Sequence, residues 1–286
     1  MQVKGRRVPG VPQADDGRMS LRDHLAELRT RLVWSLLAVF VGGIAGYIFF
    51  GPILNVLEKP YCDIPEVVRA VTAADTGCHL YFTHPLAGFS ARLNIAMVAG
   101  LIGSSPVWLY QLWAFVAPGL RKKERRWGLG FVAASILLFA LGATFAFLVL
   151  HPALNFLLSA SGPTVTSLIN VQDYLGFLGT LLLIFGASFE FPLLLVLLNM
   201  SGILPFKRLL SFWRATIVGV FAFAAVATPT QDPFSMLALA LPMCVLYAGA
   251  LGIAWSHDRR KAKRLAADPV ASLDDDEATP RSALDV

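Results

Sequence analysis

Few residues in this chain have the type and spacing to do chemistry. One of them is Glu190, the only charge in LLLIFGASFEFPLLLVLL, residues 181–198, with Pro192 two places on. An ionised carboxyl group costs several kcal/mol to bury in hydrocarbon. Three readings would account for it. It is protonated and hydrogen-bonded to a backbone carbonyl, for which Ser188 qualifies because Pro192 has no N–H to offer it. Or it faces a water-filled concavity. Or it meets a polar residue on a partner helix. A second group of acids, Asp23, Glu27 and Glu124, lies among basic residues. In LRDHLAELRTRL, residues 21–32, Leu21, Leu25, Leu28 and Leu32 form an apolar stripe at helical spacing, and His24, Glu27 and Arg31 share another face. Glu27 either pairs with Arg31 at i,i+4, worth about 0.3–0.5 kcal/mol, or is held at a membrane surface to receive a cation. Glu124, in APGLRKKERR, has the same two readings: a solvated counter-charge or a cation acceptor.

Catalysis finds no support. HExxH, GxSxG, a P-loop and a Gly-rich dinucleotide loop are all absent from the sequence. His24, His79, His84, His151 and His257 fall in loops or at the ends of apolar runs, so none can activate a serine within a membrane. Cys62 and Cys78 share one connection and could join in an oxidising compartment. Cys244 reads as packing, and no cysteine has zinc-site spacing. We therefore expect no enzyme, no metal and no cofactor.

The elements that must position these residues are membrane spans. Hydrophobic residues make up 56% of the 286 positions and charged residues 15%, the balance of a polytopic membrane protein. Runs near 32–50, 93–117, 127–150, 174–200 and 233–254 are long enough to cross about 30 Å of hydrocarbon. A sixth, near 215–228, would rise only about 21 Å as a helix. Of the 24 Lys and Arg residues, 21 fall on one side of this pattern. The positive-inside rule makes that side cytoplasmic. The expected fold is an all-α integral membrane protein, six transmembrane helices in a concave bundle with both termini cytoplasmic. Residues 1–18 have no apolar h-region and read as a disordered tail. Residues 19–256 form the membrane domain, and 257–286 a disordered charged tail. The net charge of +5 reflects topology and contact with anionic lipid, not nucleic acid. Residues 21–32 read as an amphipathic helix on the membrane surface leading into the first span.

At this point a family resemblance emerges. DHLAELRTRL, YQLWAFVAPGLRKKERR, GASFEFP, ATPTQDPFS and LALPM, in this order and on this topology, resemble the TatC family, from about Met19 to Trp255. The resemblance implies a non-enzymatic inner-membrane receptor of a prokaryote. It would bind the Arg-Arg signal peptide of folded proteins and recruit TatA and TatB-type single-span subunits. Further copies of itself would take part, and the proton gradient would drive transport. It also implies that Glu27 and Glu124 accept the two signal-peptide arginines. A guanidinium offers a planar fork that a carboxylate can meet bidentately, which lysine cannot do. Arg29 matches a family arginine that holds the helix end or a lipid phosphate, and Phe115 a family aromatic beside the acceptor. Thr228 is similar to part of a polar patch that contacts a partner helix. Asp232 reads primarily as a cap for the last helix. Met236 departs from a glutamine frequent at that place. Pro60 is a looser match with a structural role, and the Cys62/Cys78 pair lies outside the core pattern. For Glu190, which the family shares, we favour the hydrated reading, shading into partner contact. Together with a short fifth span it would weaken the bilayer locally. The alternative from another class is a secondary transporter with Glu190 as coupling site. It would bind a small solute rather than a peptide, and no paired inverted repeat supports it. A purely structural scaffold would show no arginine-specific binding.

Overall fold

Apolar runs of this length can satisfy their backbone only as helices when lipid replaces water. The structure is a computed structural model that describes residues 21–62, 85–116, 125–159, 170–229 and 232–266. Its elements are α1 (Leu21–Ile48), α2 (Phe50–Leu57), α3 (Lys59–Cys62), α4 (Ala87–Gly103), α5 (Ser105–Val116), α6 (Arg125–Ser159), α7 (Val171–Phe189), α8 (Phe191–Met200), α9 (Phe206–Ser211), α10 (Trp213–Ala227) and α11 (Pro233–Ala266). Among the described residues, four stretches are long and apolar enough to cross a membrane: α1, α6, α7 with α8, and α11. The bent pair α4–α5 makes a fifth.

The core centres on α7. Tyr174, Leu178, Leu181 and Phe185 pack with Ile95 of α4, Ala146 and Leu150 of α6, Val220 and Ala224 of α10, and Leu239 and Met243 of α11. The α7–α8 stretch buries 56% of its most apolar window but α1 only 6%, which places α1 at the rim. Because lipid is as apolar as leucine, close approach of small residues must hold α1 in place. Gly42 and Gly46 face Gly100 and Ala96 on α4; a Cβ on Gly100 would sit 2.7 Å from Gly43 N. The α6–α7 pair uses the same device. A Cβ on Gly142 would sit 2.6 Å from the Phe185 carbonyl oxygen.

Residues 21–32 lead into the first span, as expected, and do so without a break. They continue into the span as one helix, because Leu21–Val41 contains neither Gly nor Pro to break it. Leu25 and Leu32 of the expected stripe stay exposed on the protein. Other elements differ from the sequence reading. The run read as one span at 93–117 starts earlier and breaks at Ser104, where α4 and α5 meet at 53°. Pro106 explains the break, since its ring excludes the carbonyl of Ile102 and it offers no N–H. The last span does not stop near 254. It runs to Ala266, ten residues into the stretch read as disordered tail. HDRRKAKRLA is rich in good helix formers, and Lys263 and Arg264 complement the negative helix end. Residues 1–18 and 267–286 lie outside the described residues.

Asp258, in this extension, bolts the neighbouring turn to α11. Pro205 precedes α9 and offers it no side-chain cap. Asp258 Oδ2 supplies one from a distance, accepting the Phe206 N–H at 2.8 Å. Its Oδ1 accepts from Asn199 Nδ2 at 3.3 Å. Tyr247 Oη donates to the Leu209 carbonyl at 2.9 Å.

Candidate functional site

Helix α1 packs against α5 near the end that carries the basic residues. Two polar or aromatic positions of α5 one turn apart, Gln111 and Phe115, meet it there. Glu27 and Arg31 form the i,i+4 pair expected of a continuous helix. Arg31 Nε donates to Glu27 Oε1 at 3.0 Å, and Arg31 Nη2 donates to the same oxygen. Arg31 Nη1 reaches across to Gln111 Oε1 at 3.3 Å, fixing the guanidinium between the helices. His24 stacks on Phe115, with ring centroids 4.5 Å apart and planes 20° apart. Both sequence readings of Glu27 therefore have something to stand on. The pair with Arg31 exists, yet Arg31 serves only one oxygen. Glu27 Oε2 is shielded and has no hydrogen-bond partner among the described residues. A buried lone pair left unmet costs about 1–3 kcal/mol, so a further N–H donor is favoured there. The stacked pair beside it presents π faces, which also attract guanidinium groups.

Glu124 lies outside the described residues. Arg29 is exposed and lines a shallow groove with Ala26, Thr30, Val33 and Trp34. It stands two positions from Glu27, hence on another face of α1. The structure thus brings Glu27 and Phe115 to one place and leaves Arg29 apart. Sequence reasoning missed Gln111. A polar amide three places before Ala114, in an otherwise apolar run, was its available signal.

Glu190 occupies the joint between α7 and α8, which Pro192 opens at the first turn of α8. Its partner is a side chain rather than a backbone carbonyl. Ser135 Oγ on α6 donates to Glu190 Oε2 at 2.8 Å, and Trp113 Nε1 on α5 donates to Ser135 Oγ at 2.7 Å. Ser135 is fully buried and Trp113 nearly so. Glu190 Oε1 is shielded and without a partner among the described residues. Sequence reasoning missed Trp113 and Ser135. Their signal was that every polar group in a span must find a partner.

The third group lies where α10 meets α11. Thr228 is 1% exposed, and its hydroxyl donates to the Ala224 carbonyl at 3.0 Å. Its side chain is inside this chain, not on its surface. Asp232 caps α11: the Ser235 N–H donates to Oδ1 at 2.7 Å and the Met236 N–H to the Asp232 carbonyl at 3.1 Å. Met236 packs partly buried against the main core. At the same end, Pro60 is buried in α3, and its carbonyl accepts from His151 Nδ1 at 3.1 Å. Tyr174 Oη donates to the Leu57 carbonyl at 2.6 Å. Cys62 is disulfide-bonded and Cys244 is free. Cys78 lies outside the described residues.

Comparison with known proteins decides the family. The family model described as Sec-independent protein translocase protein (TatC) matches residues 23–242, from the start of α1 to Pro242 of α11. The chain belongs to the TatC family. It is similar to the Sec-independent protein translocase protein TatC of Frankia casuarinae, 49% identical over 268 residues, which span 93% of this chain and 74% of that protein. It is also similar to the chloroplastic TATC of Pisum sativum, 37% identical over 242 residues, 84% of this chain and 64% of that one. A crystal structure of a twin arginine translocase receptor, TatC, in DDM aligns with a TM-score of 0.68 at 32% identity, over 81% of this chain and 99% of that one. TatC proteins are components of a Sec-independent translocase and are not enzymes. This TatC-family chain is accordingly a multi-pass membrane protein of protein transport.

Proposed function

We propose that this TatC-family chain binds the Arg-Arg signal peptide of folded proteins at its cytoplasmic face. Glu27 and Glu124 accept one arginine each, and Phe115 packs beside them. The observation that carries this reading is the shielded Oε2 of Glu27, without a hydrogen-bond partner among the described residues, on the helix face where Arg31 meets Gln111 and His24 stacks on Phe115. Arg29, exposed on another face, serves the helix end or a lipid phosphate.

The chain crosses the inner membrane six times, with both termini in the cytoplasm and the spans arranged as a concave bundle. Helix α10 is the fifth of these spans in chain order and α11 the sixth. The 15 residues of α10 rise only about 22 Å, so the bilayer thins beside it. The charge census supports this orientation, in which Cys62 and Cys78 share one extracytoplasmic connection, where an oxidising compartment would let them join. After the peptide binds, the chain recruits TatA and TatB-type single-span subunits and further copies of itself, and the proton gradient drives transport. Glu190 is the membrane-embedded group that meets water or a polar partner residue. The turn through Thr228, Asp232 and Met236 positions α10 and α11 for a partner helix. Thr228 is buried, so it acts there through backbone shape.

A photoreactive residue placed beside the arginine pair of a signal peptide tests the site. It is expected to crosslink to α1 or to the connection between α5 and α6 that carries Glu124, and to lose both adducts in Glu27→Gln. Crosslinks confined to the opposite end of the spans would contradict the proposal.

A further inference from the structure

Helix α5 touches both polar sites at once. Gln111 and Phe115, four residues apart, face α1, where Gln111 accepts from Arg31 and Phe115 stacks on His24. Leu109 and Trp113, also four apart, face the opposite way into the core. Positions two apart on a helix point to nearly opposite sides. Trp113 is wedged there, its ring edge-to-face with Phe131 at 5.2 Å, and its N–H starts the chain of hydrogen bonds that ends on Glu190. The helix is also set at an angle to the one before it. It is twelve residues long and joined to α4 through a 53° break. Ser104 Oγ at that break is buried and has no hydrogen-bond partner among the described residues.

We infer that α5 is a lever, and that Trp113 and Ser135 are positioning residues through which occupation of the Glu27 site changes the setting of Glu190. This rests on the signal-peptide reading above. A guanidinium arriving at Glu27 Oε2 must be accommodated next to Arg31 and Gln111 and beside the Phe115 ring. Any displacement of Gln111 and Phe115 moves Trp113, because all three are on one rigid helical segment. A hydrogen bond of 2.7 Å tolerates little such movement before it weakens. Ser135 then loses the donor that orients its hydroxyl, and Glu190 Oε2 loses a fixed partner. Both oxygens of Glu190 become available to water or to a polar group on a neighbouring helix. Coupling of this kind needs an element with two arrangements biased by both sites, and α5 is the element that contacts both.

The test uses the full-length chain in lipid nanodiscs with nitrogen-15 in its six tryptophan indoles. Trp113→Phe identifies the Trp113 N–H resonance. Ser135→Ala shows where that resonance goes when the acceptor is gone. Addition of a synthetic Arg-Arg signal peptide is expected to move the Trp113 resonance towards its Ser135→Ala position. The Lys-Lys peptide, or the Arg-Arg peptide on Glu27→Ala, should leave it in place. Ser135→Ala removes in advance the bond that binding must weaken, so by reciprocity it should raise the affinity for the Arg-Arg peptide, yet lose export of a folded reporter. Arg-Arg binding that depends on Glu27 yet leaves the Trp113 resonance still would overturn the lever alone. So would full export by Ser135→Ala. Arg-Arg and Lys-Lys peptides that bind equally would overturn the receptor reading, and the lever with it.

Discussion

At the residue scale, Glu27 pairs with Arg31 of its own helix, whereas Arg31 and Glu190 are also held by side chains of other helices. Glu27 stands out as one of few acids among basic residues, and Glu190 because a carboxyl group in apolar surroundings has to be explained by what it touches. What it touches came from other helices. Gln111 lies 80 residues from Arg31, and Ser135 lies 55 from Glu190. A single sequence without coordinates holds no register between spans, so these pairs could not be named in advance. Asp232 was legible because a cap is local: acid, proline and helix follow in order. Replacing Asp232 with Ala is expected to cost about 0.5–2 kcal/mol, read as a lower thermal midpoint in detergent. An unchanged midpoint would mean that the cap contributes nothing. Thr228→Val should be tolerated by comparison. Its hydroxyl only returns to a carbonyl of its own helix, and partner binding should survive the change if Thr228 acts through backbone shape.

At the element scale, the hydrophobic runs located the spans well, and the helix breaks and ends poorly. The run through 93–117 is apolar throughout, so hydropathy could not reveal the bend at Ser104. Pro106 could have, read together with Gly103. Amphipathic spacing over 21–32 says nothing about whether the helix continues without a break, as α1 does. The extension of α11 was hidden by its own charges. Asp258 gives that extension a purpose, and its removal should be visible. Asp258→Ala leaves the Phe206 N–H uncapped, at a cost of about 1–3 kcal/mol. Faster hydrogen exchange across α9, with little change in α6, is the expected outcome. The α1–α4 contact makes a second prediction. Gly100→Val would put a side chain where even a Cβ is 2.7 Å from Gly43 N. Overpacking of this kind costs about 1–3 kcal/mol, and it should free α1, whose packing depends on that approach. Retention of the wild-type thermal midpoint would show that α1 is held by something else.

At the scale of the whole molecule, membrane class, all-helical fold and family were readable from composition and motif order. Orientation rests on the 21 of 24 basic residues on one side. An impermeant thiol reagent added to intact cells should label Ser159→Cys, at the far end of α6, above the native background. Ser201→Cys, between α8 and α9, should be labelled only after permeabilisation. The reverse pattern would invert the topology and put Glu27 on the wrong side for a peptide from the cytoplasm. The central claim is that this chain reads a pair of arginines with two carboxylates. Its most direct test is the affinity of the purified full-length chain for an Arg-Arg signal peptide and for the same peptide with Lys-Lys. Both should be measured on wild type, Glu27→Ala and Glu124→Ala. A clear Arg-Arg preference is expected in the wild type, and each substitution should remove it. Equal affinity for the two peptides, unchanged by either substitution, would contradict the claim and leave only the apolar segment of the peptide being read.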